Sequence, residues 1–219
     1  MVTIAVEGVA RRFLPAERGT VRVVVRLESP DRAAASSAAA ELHRRIAGEA
    51  RAHVASGSAT WWGADQVRLS TARRYLKDSD VTELYYVAAA DVSVKFADFD
   101  ALSAWIASIG SLEGVDLDSI HWTLTDVHRV EVQREVRAEA VLDARERARA
   151  YAGVLGLDTI ELQAVYEPGL RPNASSAHGG SSDFVLTRAM SAAGGGEEFS
   201  LKPDDIEVGA AITADFVAS

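Results

Sequence analysis

The chain contains no cysteine. That removes disulfides, thiolate catalysis and cysteine-ligated zinc together. It also lacks a run of about 18 or more apolar residues, the length a hydrophobic membrane-crossing helix needs. An excess of positive charge is missing too. The net charge is −9, which opposes binding to a phosphate backbone, so no nucleic-acid partner is expected. The acids are unevenly placed, with ten acids against three bases in residues 156–219, and that stretch reads as solvated surface. The opening MVTIAVEGVARRF shows no basic segment followed by an apolar one. Val2, Ile4 and Val6 instead alternate with Thr3, Ala5 and Glu7, the period of a strand. The expectations are no signal peptide, a cytoplasmic setting and no membrane insertion.

What is present is apolar chain in quantity: 48% hydrophobic residues over 219 positions. That suffices for one domain, or for two subdomains at about 1–57 with the C-terminal strands and about 58–156. Periodicity predicts strands at about 2–13, 20–28, 60–76, 84–97, 115–125, 159–166 and 206–217, and helices near 30–55, 98–109 and 130–155. Strand–strand–helix occurs twice, without a residue-level repeat. The fold class is therefore α+β, with antiparallel-rich sheet, a long helix packed on it in the C-terminal half, and a closing strand. In that last strand Ile206, Val208, Ala210, Ile212, Ala214 and Phe216 share one face.

Local signals place the helix ends. Ser29 suits an N-cap and Pro30 the first helical position; Gly57 stops that helix. Leu102, Trp105, Ile106 and Ile109 form the inward face of the short second helix, which Gly110 stops. Residues 167–205 make a long Gly-, Ser- and Pro-rich segment, read as a flexible loop. Within it Phe184, Val185, Leu186 and Met190 form an apolar island able to dock.

The long helix carries Val136, Ala140, Ala144, Ala148, Ala152 and Leu155 on one stripe. Small side chains there allow close approach to a sheet. Its arginines, among them Arg145, Arg147 and Arg149, are interleaved with Glu135, Glu139, Asp143 and Glu146. A phosphate- or RNA-binding reading is outweighed by a salt-bridged solvent face, with Asp143–Arg147 at i,i+4 and Glu146–Arg149 at i,i+3.

The run AVLDARERARAYAGVLG, of the pattern A-x-x-D-A-R-x-R-A-x-x-x-A-x-x-L-G, resembles the signature of the SIMPL-domain family. VTIAVEGVARRFLPAERGTVRVVVRLES resembles that family's first strand pair, YYVAAADVSVKFADFDALSAWI its central strand and short helix, and LEGVDLDSIHWTLTD the strand before the long helix. EVGAAITADFV resembles its closing strand. The segments cover nearly the whole chain in the right order, and each is a packing pattern rather than a chemical site. The resemblance implies a compact α+β fold and, in several members, a ring- or barrel-like oligomer. Many bacterial members are exported to the cell envelope and linked to stress tolerance, and an animal member is a signalling adaptor. It implies no common enzymatic activity.

Candidate sites are few. His121, Asp126 and His128 lie close in sequence, and metal or acid–base chemistry needs them to converge with a further ligand. The simpler expectation is that Asp126 caps the long helix and His128 is a first-turn residue. His43 and His53 lie ten apart, His53 bordering the apolar stripe as a packed residue. Residues 194–196 are glycines, but no strand leads into them and no GK[ST] follows. No serine stands in a G-x-S-x-G elbow. The sequon at 173–175 and His178 point to nothing specific. Trp61 and Trp62 are adjacent, so on a strand they face opposite ways. A packed core explains one. The other lies under the first helix or at a subunit contact.

The reading is a non-catalytic oligomeric scaffold or protein-interaction module, a homo-oligomer without catalytic, cofactor or metal residues. Its interaction residues would be Trp61, Trp62, Phe184, Val185, Leu186 and Met190. The alternative is a small-molecule-binding protein or hydrolase with a cleft near the long loop.

Overall fold

The computed structural model describes residues 1–75, 82–171, 185–186 and 202–219. Phe184, Met190, His178, the sequon and the glycine run at 194–196 lie outside the described residues, as does most of the 167–205 segment. The elements are β1 (Val2–Leu14), β2 (Arg18–Ser29), α1 (Arg32–Ser56), β3 (Ala59–Ala64), β4 (Arg68–Tyr75) and β5 (Thr82–Phe96). After them come α2 (Phe99–Ile109), β6 (Val115–Thr123), α3 (Asp126–Val154), β7 (Ile160–Tyr166), β8 (Val185–Leu186) and β9 (Ile206–Ala218). The strand pairings are antiparallel, so the fold is α+β with antiparallel sheets. β1 and β2 are consecutive but belong to different sheets. The chain forms two compact units.

The first unit holds β1, α3, β7, β8 and β9. Its sheet runs β1–β9–β7, with β8 also paired to β9. Val185 and Leu186 enter it as backbone partners of Val208 and Glu207. The closing strand lies in the middle of this sheet, and its alternation buries one face: Ile206, Val208, Ala210, Ile212, Ala214 and Phe216 are all buried. α3 covers that face with Val136, Ala140, Ala144, Ala148 and Ala152. Leu155, expected to continue the stripe, is the C-cap and is exposed. The helix starts earlier than expected, at Asp126. Its N-cap is Thr125, whose hydroxyl accepts from the His128 N–H, not Asp126.

The second unit holds β2 to β6, α1 and α2. Its sheet runs β3–β5–β2–β6, and β4 also pairs with β5. Val21, Val23 and Val25 of β2 register with Val94, Val92 and Ala90 of β5, and all six are fully buried. α1 packs on β5, β3 and β2 through Ala35, Ala39, Ile46 and Ala50. Its N-cap is Asp31, two residues later than expected, and it accepts from the Ala34 N–H at 2.7 Å. Ser29 instead accepts from the Asp31 N–H at 3.1 Å. Gly57 ends α1 with φ 84°, the left-handed conformation that glycine adopts without penalty. His53 packs edge-on against Phe96 and Trp105, with ring centroids 5.0 and 5.8 Å away, and its Nδ1 meets the Ser58 hydroxyl at 3.0 Å.

One expected strand is two. The segment at 60–76 breaks between β3 and β4, which pair with different halves of β5. The break faces Asp91, whose carbonyl accepts from the Asp65 N–H at 2.9 Å.

Candidate functional site

The side of the five-stranded sheet opposite the buried valines follows from strand period. Val92 and Val94 point into the core, so Asp91, Ser93 and Lys95 point the other way. Arg22 stands across from Ser93 on β2, and Gly63 across from it on β3. Trp61 pairs with Lys95, and Arg68 opens β4 beside Ala89. His121 of β6 is on this side too, opposite Thr20.

At its centre is Asp91, the one buried charged residue among those described, 7% exposed. A buried carboxylate needs charged or hydrogen-bonding partners. Two guanidiniums supply them: Arg22 Nη2 at 2.9 Å and Arg68 Nη2 at 3.2 Å, both on Oδ2. Arg22 Nη1 also lies 3.9 Å from Asp118, the residue bulged out where β6 shifts register. The Asp91 hydrogen bond, then its charge, raises the Arg22 pKa above its ordinary value, with Asp118 and Asp65 adding to it. Both arginine side chains are half-exposed or more, at 51% and 71%.

Trp61 lies beside this cluster and is 51% exposed. Its ring overlies Gly63, with Cη2 and Cζ2 both 2.8 Å from where a Cβ would sit. Glycine at 63 is thus what lets the indole lie against the strand. Trp62 takes the opposite side, paired with Val94, and the Arg51 guanidinium of α1 sits 5.4 Å from its ring centroid. The sheet and α1 account for Trp62; neither covers Trp61.

The other candidates separate. His121 lies on β6 of the second unit, and Asp126 and His128 in the first turn of α3 in the first unit. Asp126 is 93% exposed in its side chain and reaches Arg129 at 3.8 Å. Among the described residues no three His, Asp or Glu side chains are grouped as metal ligands. In the first unit, on the side of the sheet facing away from α3, a depression of about 280 Å³ is lined by Glu7, Val9, Arg11, Glu207, Gly209 and Ala211. It contains the 3.3 Å pair Arg11–Glu207. Among the described residues no helix is long and apolar enough to cross a membrane.

Sequence reasoning missed Asp91, Arg22 and Arg68 as a group. One signal was available, a lone charge in the apolar run AAADVSV. Its partners come from two other strands, which no local pattern reveals.

The chain is thus a two-unit α+β protein in which α3 meets its sheet through alanines and a glycine, with a polar cluster on the outer side of the five-stranded sheet. The chain belongs to the SIMPL family, described as a protein of unknown function (DUF541), whose model matches residues 4–216. No curated protein matches it.

Proposed function

We propose that the protein is a non-catalytic oligomeric scaffold or protein-interaction module, and that the open side of the five-stranded sheet is its contact surface. The observation that carries this reading is Trp61: a half-exposed indole laid on a sheet beside arginines that Asp91 holds in place. Tryptophan and arginine dominate the energetics of protein contacts, and they act best when already ordered. A pre-fixed Arg–Asp–Arg cluster gives up little side-chain freedom on binding. The same acids argue against nucleic acid, because Asp91 is shared by both arginines and Asp118 lies beside Arg22, which offsets their positive charge. A second copy of the chain is the simplest partner, since homo-oligomers with closed symmetry are common. The compartment belongs to the same proposal. A fold without cysteine needs no oxidising environment, and we place it in the cytoplasm, which fractionation of native cells would check.

The test is sedimentation velocity on the native protein and on Trp61→Ala. Truncating a central aromatic costs roughly 2 kcal/mol or more of association. The variant's dissociation constant should therefore rise at least about tenfold while its circular dichroism is unchanged. A variant that sediments as the native assembly does would refute this surface.

A further inference from the structure

A different feature belongs to the first unit. Among the described strands β1 pairs with β9 alone, so it is an edge strand thirteen residues long. Such an edge presents alternate N–H and C=O groups to any chain that can form a strand against it. Its composition favours that event, with Val2, Ile4, Val6 and Val9 in one run and no proline to interrupt it.

Three acids of α3 reach β1, and one of them, Asp143, takes a backbone N–H of its edge. Val9 faces Ala211 in the ladder, yet its N–H goes to Asp143 Oδ2 at 2.8 Å. That N–H therefore points off the open edge, and Asp143 occupies it. One turn and two turns earlier, Glu139 and Glu135 both bind the guanidinium of Arg12 on the same strand. Residues 135, 139 and 143 are spaced i, i+4 and i+8, one line along the helix. Gly8 permits the approach, because a Cβ there would lie 2.0 Å from the Ala140 carbonyl oxygen. The Asp143 carboxyl is held below its ordinary 3.8, first by the Val9 N–H and then by Arg147. The Arg12 pKa is raised, first by Glu139. Both groups keep the charge that the contact uses.

We propose that Asp143 guards the open edge of β1, with Glu135 and Glu139 anchoring α3 to the same strand through Arg12, and that what this arrangement excludes is strand addition by a second copy of this chain. The signature run of α3 then has a second task besides packing: its alanines seat the helix, and its acid closes the edge of the strand beneath. This is separate from assembly through the five-stranded sheet, because it concerns the other unit and predicts larger species when the guard is removed.

The experiment uses the full chain with Glu135→Ala, Glu139→Ala and Asp143→Ala combined, measured against the native protein's own size. Sedimentation velocity should show concentration-dependent species larger than the native one. Amide exchange at Val9 should quicken about tenfold, the effect of losing one hydrogen bond. Asp143→Asn keeps an acceptor oxygen and should preserve both the Val9 protection and the native size. If the triple variant loses its circular dichroism, Asp143→Ala alone carries the test. Val136→Ala, a core truncation, separates the guard from general destabilisation. A variant that stays at native size while Val9 exchanges fast overturns the proposal. So does a Val136→Ala protein that enlarges to the same extent.

Discussion

Glycine at position 8 and glycine at position 48 do opposite things. Gly8 lies under α3, where a Cβ would meet backbone at 2.0 Å and the Ala144 Cβ at 2.8 Å. Backbone cannot swing aside as a side chain can. Gly8→Ala should lower unfolding free energy by about 2–3 kcal/mol in a urea titration. Gly48 lies exposed within α1 with nothing within 4 Å of an added Cβ. Gly48→Ala should raise stability by about 0.5–1 kcal/mol, since alanine loses less backbone freedom on entering a helix. Equal effects at the two positions would contradict the close helix–strand contact. Asp143 adds a pH-dependent prediction. Its folded pKa is below its ordinary 3.8, so its contribution is fully present above the ordinary carboxylate range and is lost as pH falls through the folded value. The stability difference between the native protein and Asp143→Asn should be flat above about pH 5 and shrink as pH falls below the ordinary carboxylate value. A difference that does not change over that range would sink the assignment.

At the scale of elements, caps carry the next prediction. Asp31 holds the Ala34 N–H at 2.7 Å at the start of α1, and Asp31→Ala should cost about 1 kcal/mol. Asp126→Ala should cost well under half of that, because Thr125 is the α3 cap and Asp126 is almost fully exposed. Thermal melts of the two variants should rank them in that order. This pair also shows what the sequence carries. The inward faces of α2 and β9 were legible because period alone sets them, and Leu102, Trp105, Ile106 and Ile109 are buried as their spacing requires. The ends of elements were less legible. Asp126 and Thr125 are both good caps, and choosing between them depends on backbone angles. The break at 65–67 was not legible, since its contacts, Asp65 N–H and Arg68 on Asp91, are made to another strand. Neither was the placement of β1 and β2 in different sheets: three residues separate them, which is also an ordinary hairpin length. The acids of α3 read as solvent-facing for the same reason. Helix spacing gave the Asp143–Arg147 pair, found at 3.0 Å, but Val9 and Arg12 are more than a hundred residues away.

For the whole molecule, the candidate surface was half legible. Trp61 and Trp62 were marked by their adjacency, and the structure separates them: Trp62 under Arg51, Trp61 in the open. The buried Asp91 cluster beside Trp61 required three strands in register. With a net charge of −9, copies repel at long range, so association depends on short-range contacts and should strengthen with added salt. The central claim is assembly, and light scattering coupled to size exclusion measures it directly. At about 50 µM, where a contact of micromolar affinity is largely formed, the native protein should elute with a mass that is a multiple of 23.4 kDa. A mass of 23.4 kDa at every concentration and salt would contradict it.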